Sequence, residues 1–181
     1  MQGIIKRLED IPLSMGTLTK ALPNHCGIIL YDRLPKTLEA LFGRKTCMVV
    51  LYQMHKKGRA NNQVGHYSLV MKNGKKISYF SSYGFKPEQE INLTHSKGQL
   101  LKLLPKGYTY NRVALQRKRH SNTCGLHCIA RSYFYRLSHS EYAKLLQSRF
   151  TAQNPDDLVS IMNLCLVSDQ LVRQSNSMKL Q

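Results

Sequence analysis

The segment HSNTCGLHC, residues 120–128, brings His120, Cys124, His127 and Cys128 together. Such residues can hold a metal, fill a core or supply a nucleophile. Structural zinc uses paired knuckles well separated in sequence, and a second pair at that spacing is missing. His127 and Cys128 are adjacent, so on a helix they point about 100° apart. No metal is therefore expected. Cys124 is followed by Gly125 and by a run to Arg136 with apolar and small residues at helical spacing. A thiol at a helix N-terminus meets the positive end of the macrodipole, which favours the thiolate, its nucleophilic form. The backbone N–H groups there could hold an oxyanion, and Gly125 would let a substrate backbone approach. Cys128, one turn deeper, reads as a small buried hydrophobe.

A reactive thiolate needs a base from elsewhere in the chain. His66 opens HYSLVM, Ser81 lies in KISYFSSYG, and KNGK stands between the two runs. Asn-Gly between alternating runs is the strongest short hairpin signal. A turn centred on Asn73 and Gly74 pairs Lys72 with Lys75 and sets His66 directly across from Ser81. Their Cβ atoms would lie roughly 5 Å apart on one face. A hydrogen-bonding residue opposite a histidine is one way to orient a general base. Taken alone, His66 is more simply a half-exposed strand residue.

The remaining elements supply the scaffold. CMVVLYQM (47–54) is apolar and β-branched, as a buried strand should be, and CGIILYDRLP (26–35) is an apolar run closed by a turn. YNRVALQ (110–116) reads as another strand. Helices are expected over 4–10, 14–22, 96–104, 124–136, 139–149 and 155–167, the last opening on Pro155, Asp156 and Asp157. Strands in the middle with helices before and after predict an α+β fold. We expect a central, mostly antiparallel sheet with flanking helices, and Cys124 at a helix N-terminus. No repeat or linker divides residues 1–181, so one domain is expected, frayed over 169–181. Cys26, Cys47 and Cys165 sit in apolar contexts and read as core residues.

Charge is the strongest bulk feature. Lys plus Arg is 27 against 10 for Asp plus Glu, a formal net charge of +17. That field attracts polyanions, nucleic acid above all. The basic residues are spread along the chain with one tight run, Arg117, Lys118 and Arg119. This pattern suits phosphate attraction better than base readout, so sequence-independent nucleic-acid contact is expected. An acidic protein partner or a solubility role is the plainer alternative. No apolar run is long enough to cross a bilayer, so no membrane partner is expected. The N-terminal stretch carries charges where a secretory signal needs a continuous apolar run. The cysteine count of five is odd, which argues against a complete disulfide framework. The expectation is an intracellular protein with reduced thiols.

GHYSLVM, YFSSYG and a Gln116 ahead of Cys124-Gly125, in that order, resemble the adenovirus maturation protease. They also resemble the related proteases of SUMO and other ubiquitin-like proteins. GIILYDRLP is similar to an early segment in protease genes of adenovirus-like, virophage and Polinton-type elements. The resemblance covers residues 26–136, and His before Cys excludes the papain order. It implies Cys124 as nucleophile and His66 as general base. Gln116 would give a side-chain N–H to the oxyanion hole, beside the backbone of Cys124 and Gly125. Ser81 stands where the family carries Asp, Glu or Asn. A serine can fix the imidazole tautomer but cannot balance an imidazolium charge. Glu88 and Glu90, the only acids between His66 and Cys124, lie outside the motif. Gln116 sits slightly farther from Cys124 than the family norm, which leaves Asn122 as an alternative donor. Tyr67 stands where the family often has Trp.

The activity so implied is a cysteine endopeptidase that processes capsid or other virion precursors during maturation, by thiolate acyl transfer. It would act in the virion or the host cell and would not be secreted. It would need no cofactor for chemistry, with DNA a candidate activating cofactor. The alternatives are a ubiquitin-like-protein deconjugating protease and a basic DNA-binding protein on an inactive protease fold.

Overall fold

Strand β2, Cys47–Gln53, sets the plan of the molecule. Its residues are buried in alternation into two separate cores. Cys47, Val49 and Leu51 face one, and Met48, Val50 and Tyr52 face the other. A strand apolar on both faces must be covered on both faces, and each fully buried side chain of this size contributes about 1.5–3 kcal/mol. The computed structural model describes residues 13–53, 65–94, 97–116, 122–147 and 154–178, with Gly3, Lys6 and Asp10 ahead of them.

Among the described residues the sheet has five strands in the order β1-β2-β3-β4-β5: Cys26–Leu30, Cys47–Gln53, Gly65–Asn73, Lys76–Ser81 and Thr109–Tyr110. The central pairings, β2 with β3 and β3 with β4, are antiparallel. The outer ones, β1 with β2 and β4 with β5, are parallel. The fold is α+β, with a mixed sheet that is antiparallel at its centre. Helices α1 (Met15–Ala21), α5 (Cys124–Tyr133), α6 (His139–Gln147) and α7 (Pro155–Met178) contribute to the first core. A 3-10 turn at Tyr31–Arg33, α2 (Leu38–Phe42) and α4 (Gln99–Leu103) contribute to the second. Helix α3 (Pro87–Thr94) follows β4, and its Ile91 packs on the same second core.

Several details differ from the sequence reading. The hairpin turns on Gly74 and Lys75, so Asn73 pairs with Lys76 and Ser81 lies opposite Ser68, not His66. Gly74 takes the first central position, at φ 59°, where a hairpin turn requires positive φ. The slip is an even one along the partner strand, so His66 and Ser81 still share a face. The strand expected over 110–116 stops at Tyr110. From there the Asn111 side chain replaces the ladder, accepting from Ser81 N at 2.9 Å and donating to Ser81 O at 2.6 Å. Leu115 and Gln116 both donate their N–H to Ser82 O, at 2.8 and 2.9 Å. Gly84 makes this close approach possible: at φ 71°, a Cβ on it would lie 2.8 Å from the Val113 carbonyl carbon.

Helix α5 ends at Tyr133, where the buried Arg131 guanidinium donates to Phe134 O and Leu137 O and stacks over Tyr142. A cation at a helix C-terminus satisfies the last carbonyls. Helix α7 runs on to Met178 because no Gly or Pro interrupts it after Pro155. Cys26 and Cys47 are core residues and direct partners across β1 and β2, whereas Cys165 is exposed on the outer side of α7. The hairpin and these helices bring the start of β3, the end of β4 and the N-termini of α5 and α7 to one end of the molecule.

Candidate active site

Cys124 is the first residue of α5, and the helix that follows is buried almost all round. Thr123 precedes it without a side-chain cap on the helix. Its hydroxyl instead donates to Asp156 Oδ1, which also lies 3.0 Å from His127 Nε2. This buried trio, Thr123, Asp156 and His127, ties the start of α7 to the first turn of α5. It fixes the backbone that presents the thiol. His127, considered above as a metal ligand, is committed to this contact, and Cys128 lies wholly in the core.

His66 enters from the start of β3, buried, beside Cys124, close enough for each group to shift the other's titration. Its Nε2 lies 2.9 Å from Glu90 Oε1. Glu90 sits on α3, fully buried, and Ser81 Oγ donates to its Oε1 at 2.5 Å. The Tyr83 ring stacks on the imidazole, centroids 4.8 Å apart and planes 17° off parallel. Ser81 therefore does not touch His66 as the sequence register suggested. It touches the acid that does.

The electrostatics follow from this arrangement. Burial alone would lower the His66 pKa, but the Glu90 carboxylate and the thiol beside it raise it to about 10. Burial would raise the Cys124 thiol. The hydrogen bond and charge of His66, with backbone contacts from Tyr67 and Gly125, outweigh it and lower that pKa. A lowered thiol beside a raised imidazole is the condition for a thiolate–imidazolium pair. Glu90 balances the cation, a role that serine cannot fill.

Gln116 is buried, its backbone N–H bonded to Ser82 O, and Ser82 Oγ donates to its Oε1 at 2.6 Å. Since the hydroxyl holds the amide oxygen, the NH2 end is the donor end. Gln116 is thus fixed to the residue before Tyr83, the ring against His66. Asn122 Nδ2 donates to Asp10 O at 2.9 Å, so its amide is turned to the N-terminal segment. The side of Gly125 where a Cβ would stand is already filled. A Cβ there would meet Leu18 Cδ1 at 3.1 Å and Leu13 Cδ1 at 3.2 Å, so its lack of a side chain admits those leucines. Tyr67 is buried and donates to Leu13 O at 3.0 Å, which serves packing. Arg117, Lys118, Arg119 and His120 lie outside the described residues.

Glu90 is the residue that sequence reasoning missed. Lys86-Pro87-Glu88-Gln89 was the available signal: Pro at the first helical position and an acid in the first turn announce a helix. Lys86 N donates back to Gln89 Oε1 at 2.9 Å, half of a capping box. A helix starting there turns Glu90 and Ile91 toward the sheet.

No protein-family model matches the chain, and no curated relative does. Among solved structures it is similar to ChlaDub1 from Chlamydia trachomatis, with 16% identity and a TM-score of 0.40. That match covers 93% of this chain and 78% of the other. It is also similar to two crystal structures of the ASFV pS273R protease. One has 20% identity and a TM-score of 0.31, covering 64% of this chain and 43% of that one. The other has 17% identity and a TM-score of 0.33, covering 75% and 57%. The match spans less than half the length of the former pS273R chain.

Proposed function

We propose that the protein is a cysteine endopeptidase, with Cys124 as nucleophile, His66 as general base and Glu90 as the acid that holds His66 charged. The observation that carries this reading is the buried series Cys124, His66, Glu90, with His66 Nε2 2.9 Å from the carboxylate and Cys124 and His66 shifting one another's titration. His66 takes the Cys124 proton, and the thiolate attacks the scissile carbonyl carbon. The C–O double bond opens to an oxyanion, received by the backbone N–H at the start of α5 and by the Gln116 amide. Collapse expels the amine, which takes its proton from His66, and leaves a thioester. Water then attacks the thioester, His66 accepts its proton, and Cys124 departs to regenerate the enzyme.

The substrate we infer is a capsid or other virion precursor. The support is the order of GHYSLVM, YFSSYG and Gln116…Cys124-Gly125, together with the charge. With a net charge of +17, the protein would be held along nucleic acid without regard to sequence and meet substrates packed beside it. The ion pairs among the described residues, His66–Glu90 and His127–Asp156, use histidines, so they neutralise no Lys or Arg.

The test is cleavage of a peptide library derived from virion precursor sequences, with new termini read by mass spectrometry, with and without DNA. The reading expects cleavage by the wild type and none by Cys124→Ala. A Gly-Gly ubiquitin-like fusion cut in preference to the library would move the substrate to a deconjugating class. Salt-sensitive DNA binding with no cleavage of any substrate would favour a binding protein and overturn the reading.

A further inference from the structure

We propose that Ser81 is a positioning residue: its hydroxyl sets Glu90 against His66 and seats Tyr83 over the imidazole, and Asn111 holds Ser81 for that task. This rests on the peptidase reading above and goes beyond it by naming what keeps the acid in register.

Ser81 is fully buried and its hydroxyl has a single proton. The oxygen accepts the Tyr83 N–H at 3.2 Å, so the proton is left for Glu90 Oε1, 2.5 Å away. That same Oε1 faces His66 Nε2 at 2.9 Å. The oxygen that takes the hydroxyl proton is therefore an acceptor, and it is the same oxygen that stands beside the imidazole. Tyr83, whose N–H the hydroxyl receives, is the residue stacked on the His66 ring. One hydroxyl therefore fixes the groups on two sides of the imidazole. A carboxylate at position 81 has no proton to give and could not do both.

The support behind Ser81 is equally specific. Strand β5 pairs only with Ser78 and Tyr79, so Ser81 has no ladder partner on that side. The Asn111 side chain, itself buried, takes both the N–H and the C=O of Ser81. Its Nδ2 also donates to Val113 O at 3.1 Å, which steadies the amide. An amide in place of a strand holds one residue firmly without extending the sheet.

The other tyrosines and the thiol facing this cluster are Tyr52 and Tyr79 from β2 and β4, Tyr67 from β3, Tyr83 itself, and Cys128 from α5, with the Asp156 carboxylate of α7 beyond Tyr83. Burial pushes each of these tyrosines and this thiol above its ordinary value, so they stay neutral near pH 7. A shift in the pH profile then reports on His66 and Cys124.

The experiment compares wild type, Ser81→Ala, Glu90→Gln and the double variant in kcat, KM and the pH profile of Cys124 alkylation. Ser81→Ala is expected to move the alkaline limb downward by about one pH unit and lower kcat about tenfold, with KM unchanged. In the Glu90→Gln background the same change should cost clearly less than in the wild type, because only the route through Tyr83 to His66 is left. A wild-type profile in Ser81→Ala, or losses that multiply in the double variant, would overturn the proposal. If Ser81→Ala does not fold, Asn111→Ala replaces it: a limb shifted the same way supports the proposal and an unshifted limb defeats it. Failure of the peptidase reading looks different. The wild type would then show an ordinary thiol profile and no turnover whatever stands at 81, and this proposal would fall with it.

Discussion

Replacing Glu90 by Gln is the most informative single change, because it keeps the side chain's size and removes its charge. In the folded protein His66 titrates at about 10 against 6.5 for an ordinary histidine. Burial acts in the opposite direction and is the largest influence on the group, so the carboxylate and the thiol supply the rise. Without the carboxylate the largest influence that raises His66 is gone, and its pKa falls. The imidazolium is then held less firmly at pH 8, and Cys124 loses part of the charge that lowered it. A hydrogen bond to a charged partner contributes about 1.5–3 kcal/mol, and the upper figure corresponds to roughly a 100-fold loss in kcat/KM. The sign for stability follows from the raised pKa. The contribution of His66 is fully present below its unfolded value near 6.5 and is lost as pH rises through about 10. The assay is kcat/KM from pH 5 to 10.5, with urea unfolding at pH 7 and pH 10 beside it. Wild type should lose stability between those two pH values, and Glu90→Gln should lose much less. An alkaline limb unchanged in Glu90→Gln would refute the reasoning, since the charge said to raise His66 would then lie elsewhere.

Other changes test the surrounding parts. Gln116→Ala should reduce kcat about 100-fold with little change in KM, as removal of an oxyanion donor does, in steady-state kinetics on a cleaved peptide. Asp156→Ala leaves the Thr123 hydroxyl and His127 Nε2 buried without the oxygen they share, and a buried polar group stripped of its partner costs about 1–3 kcal/mol in chemical denaturation. Gly84→Ala forces a Cβ to within 2.8 Å of the Val113 backbone at a positive φ, and should destabilise by about 1–3 kcal/mol in the same assay.

Parts of this site could be read from the chain and parts could not, for identifiable reasons. Cys124 before Gly125, at the head of a helical run, announces itself because helix starts carry local signals. The hairpin was also legible, but its register was not. Asn73-Gly74 and Gly74-Lys75 are both plausible turn centres, and only the packed sheet selects the second. Ser81 was found in the right place and given the wrong partner for that reason. Glu90 was invisible as a site residue because nothing in the strand pattern shows that α3 folds back against β3. The choice depends on Ile91 and the second core, a long-range property. Residues 110–116 alternate like a strand, yet Asn111 can bond the strand edge with its side chain, and that competes with continued pairing. Gly125 looked like an opening for substrate because a glycine beside a nucleophile does not say which neighbour needs the space. Here the leucines of the N-terminal region need it.

The central claim is that Cys124 and His66 form an ion pair maintained by Glu90. The measurement that meets it most directly is the rate of Cys124 alkylation against pH, read by mass spectrometry of the labelled peptide, in wild type and in His66→Ala. The wild-type thiol should react well below its ordinary titration range and lose that reactivity when His66 is removed. An ordinary thiol profile, the same in both proteins, would contradict the claim.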